Sequence, residues 1–251
     1  MNLHDITPVI LTRDEAPNLE RTLAQLTWAT EIVIVDSFST DATVEIAQRF
    51  PNVRVLQRTM DTLAEQSNYG LHQARTPWVL LLDADYFLPP AFVEELRTLE
   101  PPPGVRAYLS AFRYAVDGKP LRASLYPARI VLLHREHATV WQDGHAHRVV
   151  VDGDTATLQA RIIHDDRKCF ARFIERQKRY MREEAEKLRH ADPNALSTAG
   201  RIRKLIVVAP IAVLFHTLFV KGLILDGLPG LRYTWERFVA ELILSREMLR
   251  R

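Results

Sequence analysis

The chain has 251 residues, of which 33 are Lys or Arg and 31 are Asp or Glu, so its formal charge is +2. Hydrophobic residues at 47% and charged residues at 25% are typical of a folded globular chain and exclude a disordered or fibrous one. The single cysteine, Cys169, excludes an internal disulfide and favours a reducing compartment. The opening residues lack the positive charge of a signal peptide, so we expect a cytoplasmic protein.

Charge is distributed unevenly along the chain. Residues 1–164 hold 15 basic and 20 acidic residues, a balance of −5, whereas residues 165–251 hold 18 and 11, a balance of +7. An acidic front part suits a site that binds a metal ion, and a basic back part suits phosphate or an anionic membrane surface. Scattered surface charge is the simpler explanation for much of this asymmetry.

The first hundred residues alternate short apolar runs with segments of helical periodicity. The runs Pro8–Leu11, Glu31–Asp36, Val53–Leu56 and Trp78–Leu82 predict strands. Helices are predicted after each of them, at Ala16–Leu26, Thr40–Phe50, Leu63–Ala74 and Phe92–Leu99. This alternation predicts a parallel sheet covered by helices on both faces.

Strand-like segments follow Pro101-Pro102-Pro103-Gly104, among them Tyr108–Val116 and Leu158–Ile163. From Cys169 the apolar residues recur at helical spacing, which predicts a helix ending near His190.

The segment Leu205–Val220 is apolar over 16 residues apart from Pro210, His216 and Thr217. As one helix it would be roughly 24 Å long, short of the ~30 Å hydrocarbon core of a bilayer. Basic residues precede it and Lys221 follows it, which favours a helix lying in the interface of an anionic membrane. A buried core helix is the alternative.

The loops after the first three predicted strands lack glycine, and two carboxylates follow the fourth strand. The first glycine of the chain is Gly70, whereas Rossmann sites and P-loops need glycine after an early strand, because only a backbone without Cβ comes close to a phosphate. Asp83 and Asp85 at the sheet edge are suited to hold Mg²⁺ or Mn²⁺, which then binds diphosphate oxygens. Asp-x-Asp alone also fits a solvated turn, but the buried strand before it favours the metal.

Polar residues also end the first two predicted strands. Asp36 is placed to accept a hydrogen bond from a nucleobase imide or a ribose hydroxyl, or else to cap the next helix. Thr12 and Glu15 end the first strand and would line the same crevice, where open α/β sheets bind ligands.

Three successive segments resemble the signatures of family 2 glycosyltransferases, whose GT-A fold is a Rossmann-like mixed α/β sheet: VILTRDEAPNLERTL, EIVIVDSFSTDATVEIA and AEQSNYGLHQARTPWVLLLDAD. Two later segments, IIHDDRKCFARFIERQKRY and LFVKGLILDGLPGL, resemble the subgroup of the lipopolysaccharide-core β-glucosyltransferase. The resemblance implies an inverting transfer from a nucleotide-diphosphate sugar, UDP-linked, to a glycan or lipid-linked acceptor. It also implies a GT-A domain at 1–165, with a nucleotide-binding half at 1–100 and an acceptor half at 105–165, and a helical, partly apolar extension at 166–251.

The resemblance also implies roles for individual residues. Thr12, Glu15 and Asp36 would contact the nucleoside, and Asn68 the nucleotide-sugar site. Asp83 would meet ribose or metal, and Asp85 the metal. Tyr86 stands where the subgroup often has an acidic residue.

The acceptor half contains candidates for the catalytic base. The subgroup usually has a His-Glu pair where this chain has residues 142–148, and no glutamate occurs there. Asp143 is the first candidate for the base and His145 the second, although Asp143 also fits an ordinary Asp-Gly turn.

Two further residues are candidates for binding the donor. Arg129 would steady the leaving phosphate or be a surface arginine. His164 would add a metal or phosphate contact, or belong to a strand-to-helix cap.

We therefore expect an Mg²⁺- or Mn²⁺-dependent transferase, peripheral at the inner face of the cytoplasmic membrane, that serves envelope polysaccharide or lipopolysaccharide synthesis and binds no nucleic acid. A nucleotidyltransferase is one alternative, but the loop LTRDEAPN has neither the glycines nor the strong basic charge that a triphosphate requires. A non-catalytic protein that binds a nucleotide-sugar or glycan is the other.

Overall fold

The structure is a computed structural model that describes residues 1–59, 61–143, 146–192 and 196–250, without the side chains of Asp143, Ala146 and His147. It divides into two compact units. Among the described residues, unit 1 contains 1–113, 126–142 and 146–167, and unit 2 contains 114–125, Asp143 and 168–250. The domain division expected after residue 165 stays a prediction; the units differ from it in that residues 114–125 group with the C-terminal helices.

The strands, in chain order, are β1 (Ile6–Thr12), β2 (Ile32–Asp36), β3 (Val53–Gln57), β4 (Trp78–Asp83), β5 (Tyr86–Phe87), β6 (Val105–Ser110), β7 (Phe112–Val116), β8 (Lys119–Pro120), β9 (Arg129–His134), β10 (Ala138–Asp143), β11 (Ala146–Val151), β12 (Asp154–Thr157) and β13 (Ile162–His164). The α-helices are α1 (Ala16–Leu23), α2 (Thr43–Gln48), α3 (Leu63–Gln73), α4 (Pro90–Thr98), α5 (Phe170–His190), α6 (Thr198–Lys204), α7 (Val208–Phe215) and α8 (Leu228–Leu249).

A seven-stranded mixed sheet forms the centre of unit 1, in the order β12-β6-β9-β4-β1-β2-β3. The strands β1 to β4 are parallel to one another, and β9 runs antiparallel between β4 and β6. Their sequences are almost entirely apolar because helices cover both faces of a parallel sheet. The predicted strand–helix alternation over the first hundred residues is therefore confirmed.

Successive residues of each central strand enter two different cores. On β2, Ile32 and Ile34 pack into one core with side chains of α1 and α4, and Val33 and Val35 pack into the other with side chains of α3. The helix α3 comes very close to the sheet at Gly70, where a Cβ atom would lie 2.5 Å from Cγ1 of Val9. This glycine is therefore required for helix–sheet packing rather than for binding phosphate.

Residues beyond Pro103 form shorter pairings than the sequence predicts. The strand expected over Tyr108–Val116 is two strands, β6 and β7, with Ala111 between them accepting a hydrogen bond from Ile162. The strand expected over Leu158–Ile163 is also wrong, since β12 ends at Thr157 and β13 begins at Ile162. In both segments the breaks are set by pairing with distant residues, which local periodicity does not record.

Unit 2 consists mainly of helices, and the helix predicted from Cys169 to about His190 is confirmed as α5. The helix considered for Leu205–Val220 is shorter than expected, because the backbone is helical without a break only from Val208 to Val220. The helix α6 ends at Lys204, Ile206 has a φ of +48°, α7 begins at Val208, and a π-helical turn follows at His216–Val220. Within the described ranges, no helix has both the length and the apolar character needed to cross a membrane.

Candidate active site

The register of the central strands brings the predicted polar residues to one edge of the sheet. Thr12 at the end of β1 lies opposite Asp36 at the end of β2, and Leu11 lies opposite Asp83 at the end of β4. This is the carboxyl edge, where open α/β sheets bind their ligands.

Side-chain hydrogen bonds connect the loops after β1 and β2. The amide of Asp14 donates to Oγ of Ser39 at 2.8 Å, and the amide of Thr40 donates to Oδ1 of Asp14 at 2.7 Å. Asp14 and Phe38 both have a φ of +54°, in the left-handed region that favours glycine. The hydrogen bonds between the loops thus stabilise backbone conformations that glycine would otherwise provide.

The carboxylate of Asp36 is fully buried and accepts hydrogen bonds from both loops and from β3. Its Oδ1 accepts from the hydroxyls of Thr12, at 2.9 Å, and of Ser39. Its Oδ2 accepts from the backbone amide of Ser39 at 2.9 Å and from Nε2 of the Gln57 side chain at 3.4 Å. Asp36 therefore fixes the shape of this edge, since both of its carboxylate oxygens accept hydrogen bonds from the protein.

Glu15 lies at the start of α1. Its amide donates to Oγ1 of Thr43 at 2.7 Å, and its carboxylate accepts from Nδ2 of Asn18 at 3.1 Å. Glu15 is only partly exposed, and the crevice that it would share with Thr12 stays a prediction.

The Asp83-Ala84-Asp85 turn is fixed from below by α1. The buried hydroxyl of Thr22 lies 2.6 Å from the carbonyl oxygen of Ala84 and 3.0 Å from that of Tyr86. Asp85 is 7% exposed, whereas Asp83 is partly exposed. The two carboxylates thus follow β4 on a backbone that a side chain of the neighbouring helix holds in place.

His164 reaches this turn through strand pairing. It lies opposite Tyr86 in the antiparallel pair of β13 and β5, and this register brings its Nε2 atom to 3.1 Å from Oδ2 of Asp85. The next residue, Asp165, donates its amide to the Asp85 carbonyl oxygen at 3.0 Å and pairs with Arg21 of α1. His164, at the end of β13, and Asp165, which follows it, therefore both hold Asp85 in place.

Aromatic rings surround His164. The ring centroid of Tyr126 lies 4.4 Å from that of His164, and the Tyr126 hydroxyl lies 2.7 Å from the Tyr86 hydroxyl. Tyr86 is 3% exposed, so this residue, which differs from the subgroup pattern, belongs to the core beneath the site. The guanidinium of Arg129 lies over the Tyr126 ring, 4.9 Å from its centroid.

Burial and neighbouring charges shift the pKa values of Tyr86 and Arg129. Burial raises the pKa of the Tyr86 hydroxyl well above its ordinary value, and the Asp83 charge raises it further. Burial lowers the pKa of Arg129, but Tyr126, Tyr86 and Asp83 together raise it by more, so that the net shift is upward. At neutral pH the site therefore contains neutral tyrosines and an arginine cation within the electrostatic influence of Asp83.

The side chain of Asn68 on α3 holds β10. Its Nδ2 donates to the Val140 carbonyl oxygen at 2.8 Å, and its Oδ1 accepts from the Val140 amide at 2.9 Å. Gln142 adds a further bond, accepting from the Ala64 amide at 3.2 Å. Both groups of the Asn68 amide are thus engaged with the strand that leads to residue 143.

The two candidates for the catalytic base cannot be placed in the same detail. Asp143 is the last residue of β10, but its side chain lies outside what the structure describes, and so does the whole of His145.

The donor atoms near β4 suit a divalent cation. Carboxylate oxygens are the ligands that Mg²⁺ and Mn²⁺ prefer, and Mg²⁺ is usually held by one or two carboxylates together with substrate phosphates and water. Among the residues that the structure describes, no three His, Cys, Asp or Glu side chains lie close enough together to form a metal site alone. Asp83 and Asp85 fit a cation that takes its remaining ligands from substrate phosphate oxygens and water. His164 lies within hydrogen-bonding distance of Asp85.

Comparison with known proteins identifies the region that contains this edge. Residues 8–117 match the model of Glycosyl transferase family 2. This family 2 region contains most of β1, all of β2 to β4 and the loops that follow them. The seven-stranded sheet to which these strands belong is the mixed α/β sheet expected of a GT-A-like fold.

Two curated relatives carry glycosyltransferase names. The chain is 33% identical to N-acetylglucosaminyl-diphospho-decaprenol L-rhamnosyltransferase of Mycobacterium tuberculosis, over 37% of this chain and 36% of the relative. It is 32% identical to the uncharacterized glycosyltransferase YibD of Escherichia coli, over 38% of this chain and 29% of the relative. The matched part thus spans about a third of the length of these relatives.

A solved structure also resembles the chain. The S. aureus TarS 1-349 crystal structure, in complex with UDP-GlcNAc, is 15% identical with a TM-score of 0.44, covering 96% of this chain and 81% of that chain. At this score it adds nothing to the assignment of the family 2 region.

Sequence reasoning missed several residues that shape the edge. Ser39 and Asp14 connect the two loops, Tyr126 lies against His164, and Thr22 fixes the aspartate turn. Asp14 and Ser39 lie in two loops that are rich in Asp, Ser and Thr, and such residues are typical of Asx and Ser/Thr turns. Tyr126 carries no local signal, because it meets His164 only through the tertiary fold.

Proposed function

We propose that the protein transfers a sugar from a nucleotide-diphosphate donor to a glycan or lipid-linked acceptor. The observation that carries this proposal is the register at the carboxyl edge, where Thr12, Asp36 and Asp83 end three adjacent strands inside the family 2 region. A nucleoside would lie along the loops after β1 and β2, and its diphosphate would extend toward the aspartates after β4.

The nucleoside would be held by Thr12, Glu15 and Asp36. Because Asp36 already accepts four hydrogen bonds, we expect it to contact a uracil or ribose only as one donor, most simply Ser39, moves aside. Its main contribution would be to keep the two loops in a binding conformation before the donor arrives, which lowers the entropic cost of binding.

The diphosphate would be neutralised by Mg²⁺ or Mn²⁺ bound to Asp85 and Asp83, and the cation would stabilise negative charge on the leaving group. His164, assigned above as a candidate metal contact, would serve the metal most directly by orienting Asp85 through its hydrogen bond. Arg129 lies within the electrostatic influence of Asp83 and would add positive charge for the leaving phosphate.

The acceptor hydroxyl would be deprotonated by Asp143, with His145 as the second candidate, so that it attacks the anomeric carbon opposite the leaving diphosphate with inversion. Asn68 supports this assignment because both its amide groups hold β10, the strand that ends at Asp143. In this arrangement Asn68 is a positioning residue for the acceptor side of the nucleotide-sugar site.

The acceptor and location are inferred from chemistry and from one relative's name. That relative acts on a diphospho-decaprenol lipid, which supports a lipid-linked acceptor here. We propose that the protein is cytoplasmic, peripheral at an anionic membrane, and serves envelope polysaccharide or lipopolysaccharide synthesis.

Incubation with a panel of UDP-linked and other nucleotide-linked sugars, with Mn²⁺ present, tests the proposal. We expect one donor to release its nucleoside diphosphate slowly by hydrolysis, and faster when a glycan or lipid-linked acceptor is added. Binding of a nucleotide-sugar without turnover of any donor would instead support the non-catalytic alternative. Release of pyrophosphate from a nucleoside triphosphate would support a nucleotidyltransferase.

A further inference from the structure

The helix α8 in unit 2 buries several charged side chains and exposes several apolar ones. Its buried residues include Glu236, Glu241 and Glu247, at 7%, 8% and 7% exposure. Its exposed residues include Leu228 at 81% and Trp235 at 53%. A helix on the surface of a water-soluble domain normally shows the opposite arrangement, with charged residues outward.

The buried glutamates are paired inside unit 2, so their position is part of a built interior. Arg203 of α6 pairs with Glu241 at 2.7 Å and with Glu184 of α5 at 3.3 Å. Buried ion pairs contribute little net stability, because desolvation offsets their attraction. The stability of the ion pairs therefore does not explain why the glutamates are buried. The apolar side chains that this orientation of α8 exposes explain it better.

The exposed apolar residues of α8 form one stripe, which the exposed Arg246 interrupts. Leu228, Leu231, Trp235, Leu242 and Leu249 are spaced by three, four, seven and seven residues, which places them along one side of a helix. Leu242 is 45% and Leu249 is 68% exposed, so the stripe extends over the whole helix.

The same pattern occurs in the segment before α8. Val208, Ile211, Phe215 and Phe219, on α7 and the π turn, are exposed by 47% to 64% at spacings of three, four and four residues. Exposed apolar residues also occupy the short 3₁₀ turn between the two segments, where Leu225 is 70% exposed. We call the exposed apolar side chains between Val208 and Leu249 the apolar face.

Cations accompany the apolar face. Arg201, Lys204, Lys221 and Arg246 are at least partly exposed, and none of them forms an ion pair with any residue that the structure describes. A groove of about 510 Å³ beside the start of α8 is lined by Leu228, Leu231 and Trp235, by Lys119, and by Asp117, which pairs with Arg232. Apolar side chains next to unpaired cations match the acyl chains and anionic headgroups of a lipid surface.

We propose that the apolar face is a lipid-binding surface, on which α7 and α8 lie in the interface of an anionic bilayer. It rests on the proposed membrane contact and assigns its residues, but it does not depend on the transfer reaction. A second copy of the chain is a less suitable occupant, because a twofold interface would set one cation-bearing face against another and add no anionic surface to neutralise it. The helical run Val208–Val220, formed by α7 and its π-helical continuation, is only about 20 Å long, short of the ~30 Å core of a bilayer, which fits binding in the interface plane.

Vesicle binding by the full chain, measured by sedimentation without any donor, tests this inference. We expect binding to vesicles of phosphatidylglycerol and phosphatidylcholine, weaker binding to phosphatidylcholine alone, and a decrease with added salt. The double variant Phe215→Ser/Trp235→Ser should bind at least tenfold more weakly. Lys204→Gln and Lys221→Gln should each weaken binding roughly fivefold.

The matched control is Val150→Ser, which removes an apolar side chain that is 50% exposed on β11 of unit 1 and should leave vesicle binding unchanged. Far-ultraviolet circular dichroism and UDP titration should be the same in wild type and double variant, so a folding defect or a failed donor site is distinguished from a lost lipid surface. Vesicle binding that the double variant retains, or that wild type lacks, would overturn the inference. A dimer in sedimentation velocity that the double variant dissociates, without vesicle binding, would assign the face to a second copy.

Discussion

The Nε2 atom of His164 lies 3.1 Å from Oδ2 of Asp85, although 79 residues separate them in the chain. The contact exists because β13 pairs with β5 directly after the aspartate turn. A hydrogen-bond donor at this distance orients a carboxylate, and such outer contacts strongly affect metal affinity.

Replacement of His164 should therefore weaken metal-dependent binding of UDP. We expect His164→Ala to weaken it by about 10- to 100-fold and His164→Gln, which keeps an N–H donor, to weaken it less. Calorimetric titration of UDP at fixed Mn²⁺ measures the effect. Equal affinities in wild type and His164→Ala would mean that the histidine does not act on the metal site.

Asp36 should be important for stability as well as for binding. In Asp36→Asn one oxygen becomes an amide that cannot accept the hydrogen bonds now made by Ser39 and Gln57, and an unpaired buried group costs about 1–3 kcal/mol. Urea unfolding should show a loss of that order, together with weaker UDP binding. The exposed Asp61→Asn is a suitable control, and a loss of similar size in that variant would contradict the assignment to buried hydrogen bonds.

Gly70 should not tolerate a side chain. The added Cβ of Gly70→Ala would overlap with the Val9 side chain, and overpacking of this kind costs about 1–3 kcal/mol. Urea unfolding should show the loss, and the double variant Gly70→Ala/Val9→Ala should recover part of it. If Gly70→Ala is as stable as wild type, α3 lies farther from β1 than the structure shows.

Alkaline pH should destabilise unit 2 through Tyr233. Burial raises the pKa of this hydroxyl above its ordinary value of 10.0, so above pH 10 the unfolded chain loses a proton that the folded chain retains. The free energy of unfolding should then fall by up to about 1.4 kcal/mol per pH unit for this residue. Denaturation of wild type and Tyr233→Phe between pH 9 and 11 measures the difference in slope, and identical slopes would contradict it.

The sequence predicts the part of the fold that is encoded locally. Strands β1 to β4 are short apolar runs, and their polar ends identify Thr12, Asp36, Asp83 and Asp85 without any tertiary information. The helix α5 is equally visible because its apolar residues recur over 21 residues. The periodicity of a buried face is strong enough in these segments to determine the element.

Features that depend on long-range contacts were not predictable in the same way. The break at Ala111 follows from its bond to Ile162, and the position of Tyr126 follows from its packing on His164. The apolar segment beginning at Leu205 illustrates a different limit, because composition indicated one helix over Leu205–Val220 whereas a backbone turn at Ile206 delays the start of the helix to Val208. Hydrophobicity alone does not indicate where such turns occur.

Titration of UDP with and without Mn²⁺, in wild type and in Asp85→Asn, tests the central claim most directly. The account predicts that Mn²⁺ strongly increases the affinity of the wild type for UDP. Asp85→Asn should lose this increase in affinity, and Asp152→Asn, at an exposed turn, should retain it. The expected loss is at least tenfold in affinity, because a carboxylate ligand is replaced by a neutral amide. UDP binding of full strength without metal, or unchanged by Asp85→Asn, would contradict the account.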